Sequence, residues 1–208
     1  MDFKNVITEI MKEYAATGRV FFNEAHFQYE FTLELFNLLG SKDWRYEIEY
    51  HQSSNWKIDL VVTNNKSGEK YAIEFKYKTK AELVEIRPGL IINLKNQSAQ
   101  DESRYNCWMD ISRIEELTTL GFKGGFFLFI TNDEKLIQPV KNKNQDYQFD
   151  ISAGSQPKYP SPLSWKDPNL STAKKYPKKL YIKNSYTFEY SSYEKPFENY
   201  KYLVVPIE

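Results

Sequence analysis

Asp59, Glu74 and Lys76 stand in two apolar runs, "KIDLVVTN" (57–64) and "KYAIEFKYK" (70–78), joined through the turn chemistry of "NKSG". Both runs read as β-strands, in which residues two apart share a face. Glu74 and Lys76 therefore lie on one side, and Ile73, Phe75 and Tyr77 take the other. If the strands pair in register as a hairpin, Asp59 comes within reach of Glu74. Two ionised carboxylates that close repel, and partial burial makes each charge costly without a partner. A divalent cation answers both difficulties. Oxygens from Asp59 and Glu74 suit Mg²⁺, which keeps several waters and takes phosphate oxygens as further ligands. Lys76, one side-chain step beyond Glu74, is placed to hold or help deprotonate a water aimed at phosphorus, the chemistry of phosphodiester hydrolysis. The same spacing also suits a half-exposed sheet face carrying a Glu–Lys pair along one strand.

The elements around the hairpin must position these groups. "NEAHFQYEFTLELFNLLG" (23–40) predicts a helix with Asn23 as N-cap and Gly40 as stop. Its core-facing stripe is Phe27, Phe31, Leu35, Leu38 and Leu39, with Glu24 inside the stripe and Gln28 at its edge. "RYEIEYH" alternates as a strand. "GLIINLKN" suggests a short strand in the otherwise unassigned 80–100. "DESRYNCWMDISRIEELTTLG" (101–121) reads as a long helix, and "GGFFLFITND" (124–133) as a strand buried on both faces. The order is helix, three strands, helix, strand. The three strands suit an antiparallel meander, and the second helix supplies the crossover to a buried strand. The expected class is α/β (α+β), an αβββαβ core with a mixed central sheet flanked by helices. Residues 1–140 would form that core with an amphipathic N-terminal helix. Residues 141–208 would be a loop and β extension, rich in aromatics and lysine, packed on the same domain. Pro157, Pro160, Pro162, Pro168 and Pro177 mark the loop, and "LYIKNSYTFEYSSY" and "YKYLVVPIE" read as closing strands.

Asp59 with Glu74-Phe75-Lys76 in that element order resembles the PD-(D/E)XK, or restriction-endonuclease-like, phosphodiesterase superfamily. Residues 23–133 are similar to a family of mostly uncharacterised bacterial nucleases within it. The likeness rests on an E-x-x-x-Q helix start (Glu24, Gln28), "IDLVV" (58–62), "EFKYK" (74–78) and a Q-D-x-x-R-Y-x-x-x-x-D-I-x-R-I-E helix (100–115). Ile58 stands where the superfamily's name has proline. The resemblance implies a Mg²⁺-dependent nuclease, with Mn²⁺ as a substitute, acting on DNA as an endonuclease first and an exonuclease as the alternative. Asp59, Glu74 and the Phe75 backbone carbonyl would be metal ligands, and Lys76 would act on water. Glu24 is the expected further carboxylate, with Glu34 as runner-up; a first-turn glutamate answering the helix dipole is the plainer account. Gln100 would hydrogen-bond a catalytic carboxylate or the water, and Arg104 would meet a phosphate or Glu74. Alternatively Arg104, Asp110 and Arg113 make structural ion pairs. Lys78, Lys174, Lys175, Lys178 and Lys179 are candidate nucleic-acid contacts. A homodimer would let two sites meet two strands. The alternative function is a catalytically silent nuclease-fold module that binds nucleic acid or protein.

Composition narrows the rest. Lysine plus arginine and aspartate plus glutamate both total 28, so net charge selects no partner. Its distribution is uneven: residues 1–140 hold 17 basic against 21 acidic residues, and 141–183 hold nine lysines against three aspartates. The single Cys107 excludes an intrachain disulfide framework and a cysteine zinc cluster. His26 and His51 are too few for a histidine metal site, and Cys107 reads as core. No phosphate-binding glycine loop and no G-x-S-x-G elbow occurs. Without a signal-type apolar segment or a membrane-length run, the expectation is a cytoplasmic protein with no membrane partner.

Overall fold

The computed structural model describes residues 2–53, 56–97, 99–158 and 161–208; Pro160 of the proline-rich loop lies outside them. Helix α1 (Phe3–Ala16) is capped by the Asp2 side chain and buries Phe3, Val6, Ile7, Ile10, Met11 and Tyr14, spacings that place all six on one face. Helix α2 (Glu24–Leu39) begins at Asn23, whose side chain accepts from the His26 N–H, and ends at Gly40. Phe27, Phe31 and Leu35 are buried as expected, but in the last turn Leu38 is exposed and Leu39, partly buried, makes the contact with the core.

Strands β1 (Trp44–Ser53), β2 (Trp56–Asn64) and β3 (Lys70–Lys78) form the antiparallel meander. A hairpin follows, β4 (Glu82–Arg87) with β5 (Leu90–Leu94). The "GLIINLKN" segment thus supplies a strand, and its partner is the stretch that periodicity left unassigned. Helix α3 (Gln100–Thr119) then crosses to β6 (Gly124–Thr131), which pairs in parallel with β3. Every residue of β6 is buried. Phe126, Leu128 and Ile130 enter the core under α1 and α2, and Phe127 and Phe129 enter the core under α3.

The carboxy-terminal segment does more than extend this core. After α4 (Glu134–Ile137), β7 (Gly154–Gln156), α5 (Ser171–Lys175), β8 (Tyr186–Phe188) and β9 (Ser191–Ser192), the last strand β10 (Lys201–Ile207) pairs antiparallel with β6. The sheet order is β1-β2-β3-β6-β10-β9, so the chain's end is an inner strand of the main sheet. Residues between β6 and β10 cover the α3 face with Phe149, Leu163, Trp165, Leu180 and Phe188. The result is a mixed α/β protein: a mostly antiparallel, partly parallel sheet flanked by helices. Among the described residues no helix is long and apolar enough to cross a membrane.

Candidate active site

The β2–β3 ladder runs in register from Thr63↔Lys70 to Leu60↔Ile73. One step further, where Asp59 stands opposite Glu74, side chains replace the backbone ladder. The Phe75 N–H donates to Asp59 Oδ2 at 2.8 Å, and the Asp59 N–H donates to Glu74 Oε2 at 3.4 Å. On the other edge of β2, Ile48 pairs with Leu60 and Tyr50 with Ile58. Between them Glu49 adopts φ +52°, a left-handed conformation that non-glycine residues seldom take. The faces change at the same point: Ile58 is buried in the core under α3, while Leu60 is buried under α1 and α2. Strand β2 therefore reverses its sidedness at Asp59. Its carboxylate reaches across the gap between strands, as the buried amide of Gln28, donating to the Asp59 carbonyl, ties the strand to α2.

Glu74 lies on the α3 side and is 2% exposed. Its Oε1 is buried and has no hydrogen-bond partner. Burial first, then the nearby carboxylates of Asp110 and Asp59, push its pKa well above the usual range. Asp59 is pushed up to about 6, mainly by burial, with Asp110 and Glu24 adding and the Phe75 N–H and Lys76 opposing. Lys76 ends its chain 2.9 Å from Asp110 Oδ2 and 3.6 Å from Glu24 Oε1. Burial alone would lower the Lys76 pKa, but Asp110 and then Glu24 override it and hold it above the ordinary value. Asp110, buried on α3, is itself raised by burial against the pull of Lys76, and its Oδ1 lies 3.4 Å from Arg113. Glu24 reaches from the first turn of α2 to accept from the Tyr77 N–H at 2.9 Å.

A divalent metal fits part of this arrangement. Among the described residues no three His, Cys, Asp or Glu side chains form a group able to hold one. Mg²⁺, however, is commonly held through one or two carboxylates and completes its shell with water. The orphaned, buried Oε1 of Glu74 beside Asp59 is a donor atom of that kind. The Phe75 ring, packed edge-on against Phe27 and Phe31, fixes the backbone between Glu74 and Lys76.

The structure thus gathers Asp59, Glu74, Lys76 and Glu24. Other expected residues lie elsewhere. Gln100 donates to Asp133 at 3.0 Å, in a separate cluster with Lys80 at the end of β6; the first turn of α3 leans towards that end, away from Glu74. Arg104 is buried and donates from each of its three nitrogens, to the carbonyls of Leu136 and Lys135 and to Asp146, contacts that do not include Glu74. It is a structural residue. The runner-up Glu34 lies on the same helix α2, where its charge acts on Tyr14, and its neighbour one turn earlier, Glu30, pairs with Arg19 and His26. Lys78 sits half-buried at the end of β3. Lys175 pairs with Glu102 at 2.8 Å, while Lys174, Lys178 and Lys179 line a cavity of about 390 Å³ beside Trp165. Cys107 is fully buried and its thiol pushed up to about 12 by burial, which fits a core role. His51 is exposed at the β1–β2 turn.

Asp110 is the residue that the sequence reading left among structural ion pairs. Its signal was visible: a carboxylate inside the stripe of Cys107, Ile111 and Ile114, which packs against the sheet. No protein-family model matches this chain, nor does any curated protein or solved structure.

Proposed function

We propose that the protein is a divalent-metal-dependent nuclease with a restriction-endonuclease-like core, hydrolysing phosphodiester bonds of DNA. The observation that carries this reading is the buried, unpartnered Oε1 of Glu74 next to Asp59, at a break in the β2–β3 ladder. A charge placed there without a partner is expensive, so the carboxyl either keeps its proton or is completed by a cation. The meander β1-β2-β3, the α3 crossover and the parallel β6 support this reading, with the β4–β5 hairpin inserted before α3. Asp59 and Glu74 would hold Mg²⁺, which when bound acidifies water and stabilises charge developing on the phosphate. Lys76, kept as an ammonium by Asp110 and Glu24, serves as a charged donor that orients the attacking water and a phosphate oxygen; it is not poised to take a proton. Glu24 holds the Tyr77 backbone at the strand's exit and lies 3.6 Å from the Lys76 ammonium.

The test is cleavage of plasmid and single-stranded DNA in Mg²⁺, Mn²⁺ or EDTA. Cleavage should require metal and be lost in Asp59→Ala; metal-independent cutting, or undiminished cutting by that variant, removes the mechanism. A second reading, a silent nuclease-fold module, draws on the double engagement of the Lys76 ammonium. Calorimetry separates the two, because a silent module has no reason to release Mn²⁺ binding heat that Glu74→Ala abolishes.

A further inference from the structure

We infer that Asp110 is a positioning residue, whose carboxylate sets where the Lys76 ammonium stands beside Glu74. This assignment rests on the nuclease reading for its catalytic consequence and on geometry alone for the contact. A lysine side chain has four rotatable bonds and ordinarily extends its charge towards water. Here the Lys76 side chain is only 13% exposed and stops on Asp110 at 2.9 Å, with Glu24 farther off at 3.6 Å. Asp110 is 4% exposed at its side chain, and it occupies a helix face otherwise given to Cys107, Ile111 and Ile114. A carboxylate in that stripe weakens packing unless something across from it uses the charge.

The helix that carries Asp110 is fixed from two sides. Beneath it, β6 presents Gly125: a Cβ there would stand 2.2 Å from the Ala72 carbonyl and 2.6 Å from the Ile114 methyl, so only glycine lets α3 sit this low. One turn beyond Asp110, Glu115 accepts from the backbone N–H groups of Lys183 and Asn184 and from the Tyr186 hydroxyl. Helix α3 thus neither lifts nor rolls easily, and the oxygen it offers Lys76 has one place to be. Arg113, 3.4 Å from Asp110 Oδ1, holds the carboxylate's other oxygen from the same helix.

Two measurements test the assignment. The first is acetylation of lysines under native conditions, followed by peptide mass spectrometry, with Lys80 as internal reference. In Asp110→Asn, checked to be folded by circular dichroism, Lys76 should be modified at least about tenfold faster than in the parent, and Glu24→Gln should change it less. An unchanged Lys76 rate in folded Asp110→Asn overturns the contact. Should that variant not fold, a crystal structure of the parent decides: an ammonium away from Asp110 refutes the inference, and one bonded to it supports it. The second is DNA cleavage. Displacement of a positioned group by about an ångström costs up to roughly 100-fold in rate, so Asp110→Asn should lose kcat by about 10- to 100-fold with KM little changed. A freed Lys76 with kcat intact overturns the positioning role. If the parent cuts no DNA, the nuclease reading fails while the labelling result stands by itself.

Discussion

Glu115 on α3 and Glu74 on β3 are 1% and 2% exposed, two carboxylates equally removed from water. Glu115 is saturated: the N–H groups of Lys183 and Asn184 donate to it at 2.9 Å each, and the Tyr186 hydroxyl donates as well. Glu74 has one long bond from the Asp59 N–H at 3.4 Å and one oxygen with no partner. The fold that finds three donors for one glutamate leaves the other half-satisfied. A buried carboxylate with all its lone pairs used holds the structure together, whereas one left open keeps lone pairs free for a water or an ion. Glu115 anchors the 183–186 segment to α3, whereas the open oxygen of Glu74 is the atom that the proposed metal site uses.

Substituting the two should have opposite signs, which is the sharpest way to break the contrast. Glu115→Ala strands three donors that each lose a charge-assisted bond contributing roughly 1.5–3 kcal/mol. A loss of about 3–5 kcal/mol and a fall in Tm of roughly 10 °C follow for a chain of this size. Glu74→Gln, in EDTA and at alkaline pH where the carboxylate is ionised despite its raised pKa, removes a poorly compensated charge and should raise Tm, by an amount equivalent to about 1–2 kcal/mol. Thermal melts of both variants check this. A Glu74→Gln protein destabilised as far as Glu115→Ala would mean that the open oxygen is in fact satisfied.

The pH dependence sharpens the same point through Asp59. Its folded pKa is about 6 against an ordinary 3.8, so the folded state binds more protons than the unfolded chain between those values. Stability is therefore greatest from this group below about pH 4 and declines as pH rises to about 6, by on the order of 3 kcal/mol. Asp59→Asn carries no such titration. In urea melts with EDTA, its stability advantage over the parent should be near zero at about pH 4 and widen towards neutrality. A pH-independent difference would show that Asp59 is not under electrostatic stress. Metal binding should run the other way, weakening as pH falls through about 6, because protons compete for the ligand oxygens.

Much of the hairpin was legible because strand geometry is local. A period of two puts Ile73, Phe75 and Tyr77 under α1 and α2 and leaves Glu74 and Lys76 facing α3. The Asn23 cap and the Phe27–Phe31–Leu35 stripe were equally local. What escaped depends on distant partners. The closing strand β10 pairs with β6 across some seventy residues of chain, a place in the main sheet that its own segment, legible as a strand of a packed β extension, does not announce. Gln100 shares a helix side with Cys107 by phase, yet the end of β6 brings Asp133 to it first. Asp110 looked like one more helix charge because nothing in its own segment announces Lys76 across the layer. The sidedness change at Asp59 left no periodic trace, since Ile58 and Leu60 are both apolar and both buried.

That change coincides with an irregularity in β1, and a small effect tests whether the two are coupled. Glu49 sits between the pairs Ile48↔Leu60 and Tyr50↔Ile58 at φ +52°. A left-handed residue costs roughly 1–2 kcal/mol for a non-glycine side chain. Glu49→Gly relieves that strain but adds unfolded-state freedom of about 0.5–1 kcal/mol, and loses an exposed ion pair to Lys57 at 3.0 Å that contributes little. The net expectation is a gain of up to about 1 kcal/mol, or a Tm rise of a few degrees at most. Glu49→Val has the opposite consequence: a β-branched residue resists the left-handed region and pulls β1 back towards regular pairing. Because β2 turns over directly opposite, the Val variant should lose both stability and Mn²⁺ affinity in calorimetry, while the Gly variant keeps its metal. Equal Mn²⁺ affinity in the two would mean that the Asp59 kink is held by Gln28 and β3 alone, with β1 merely following.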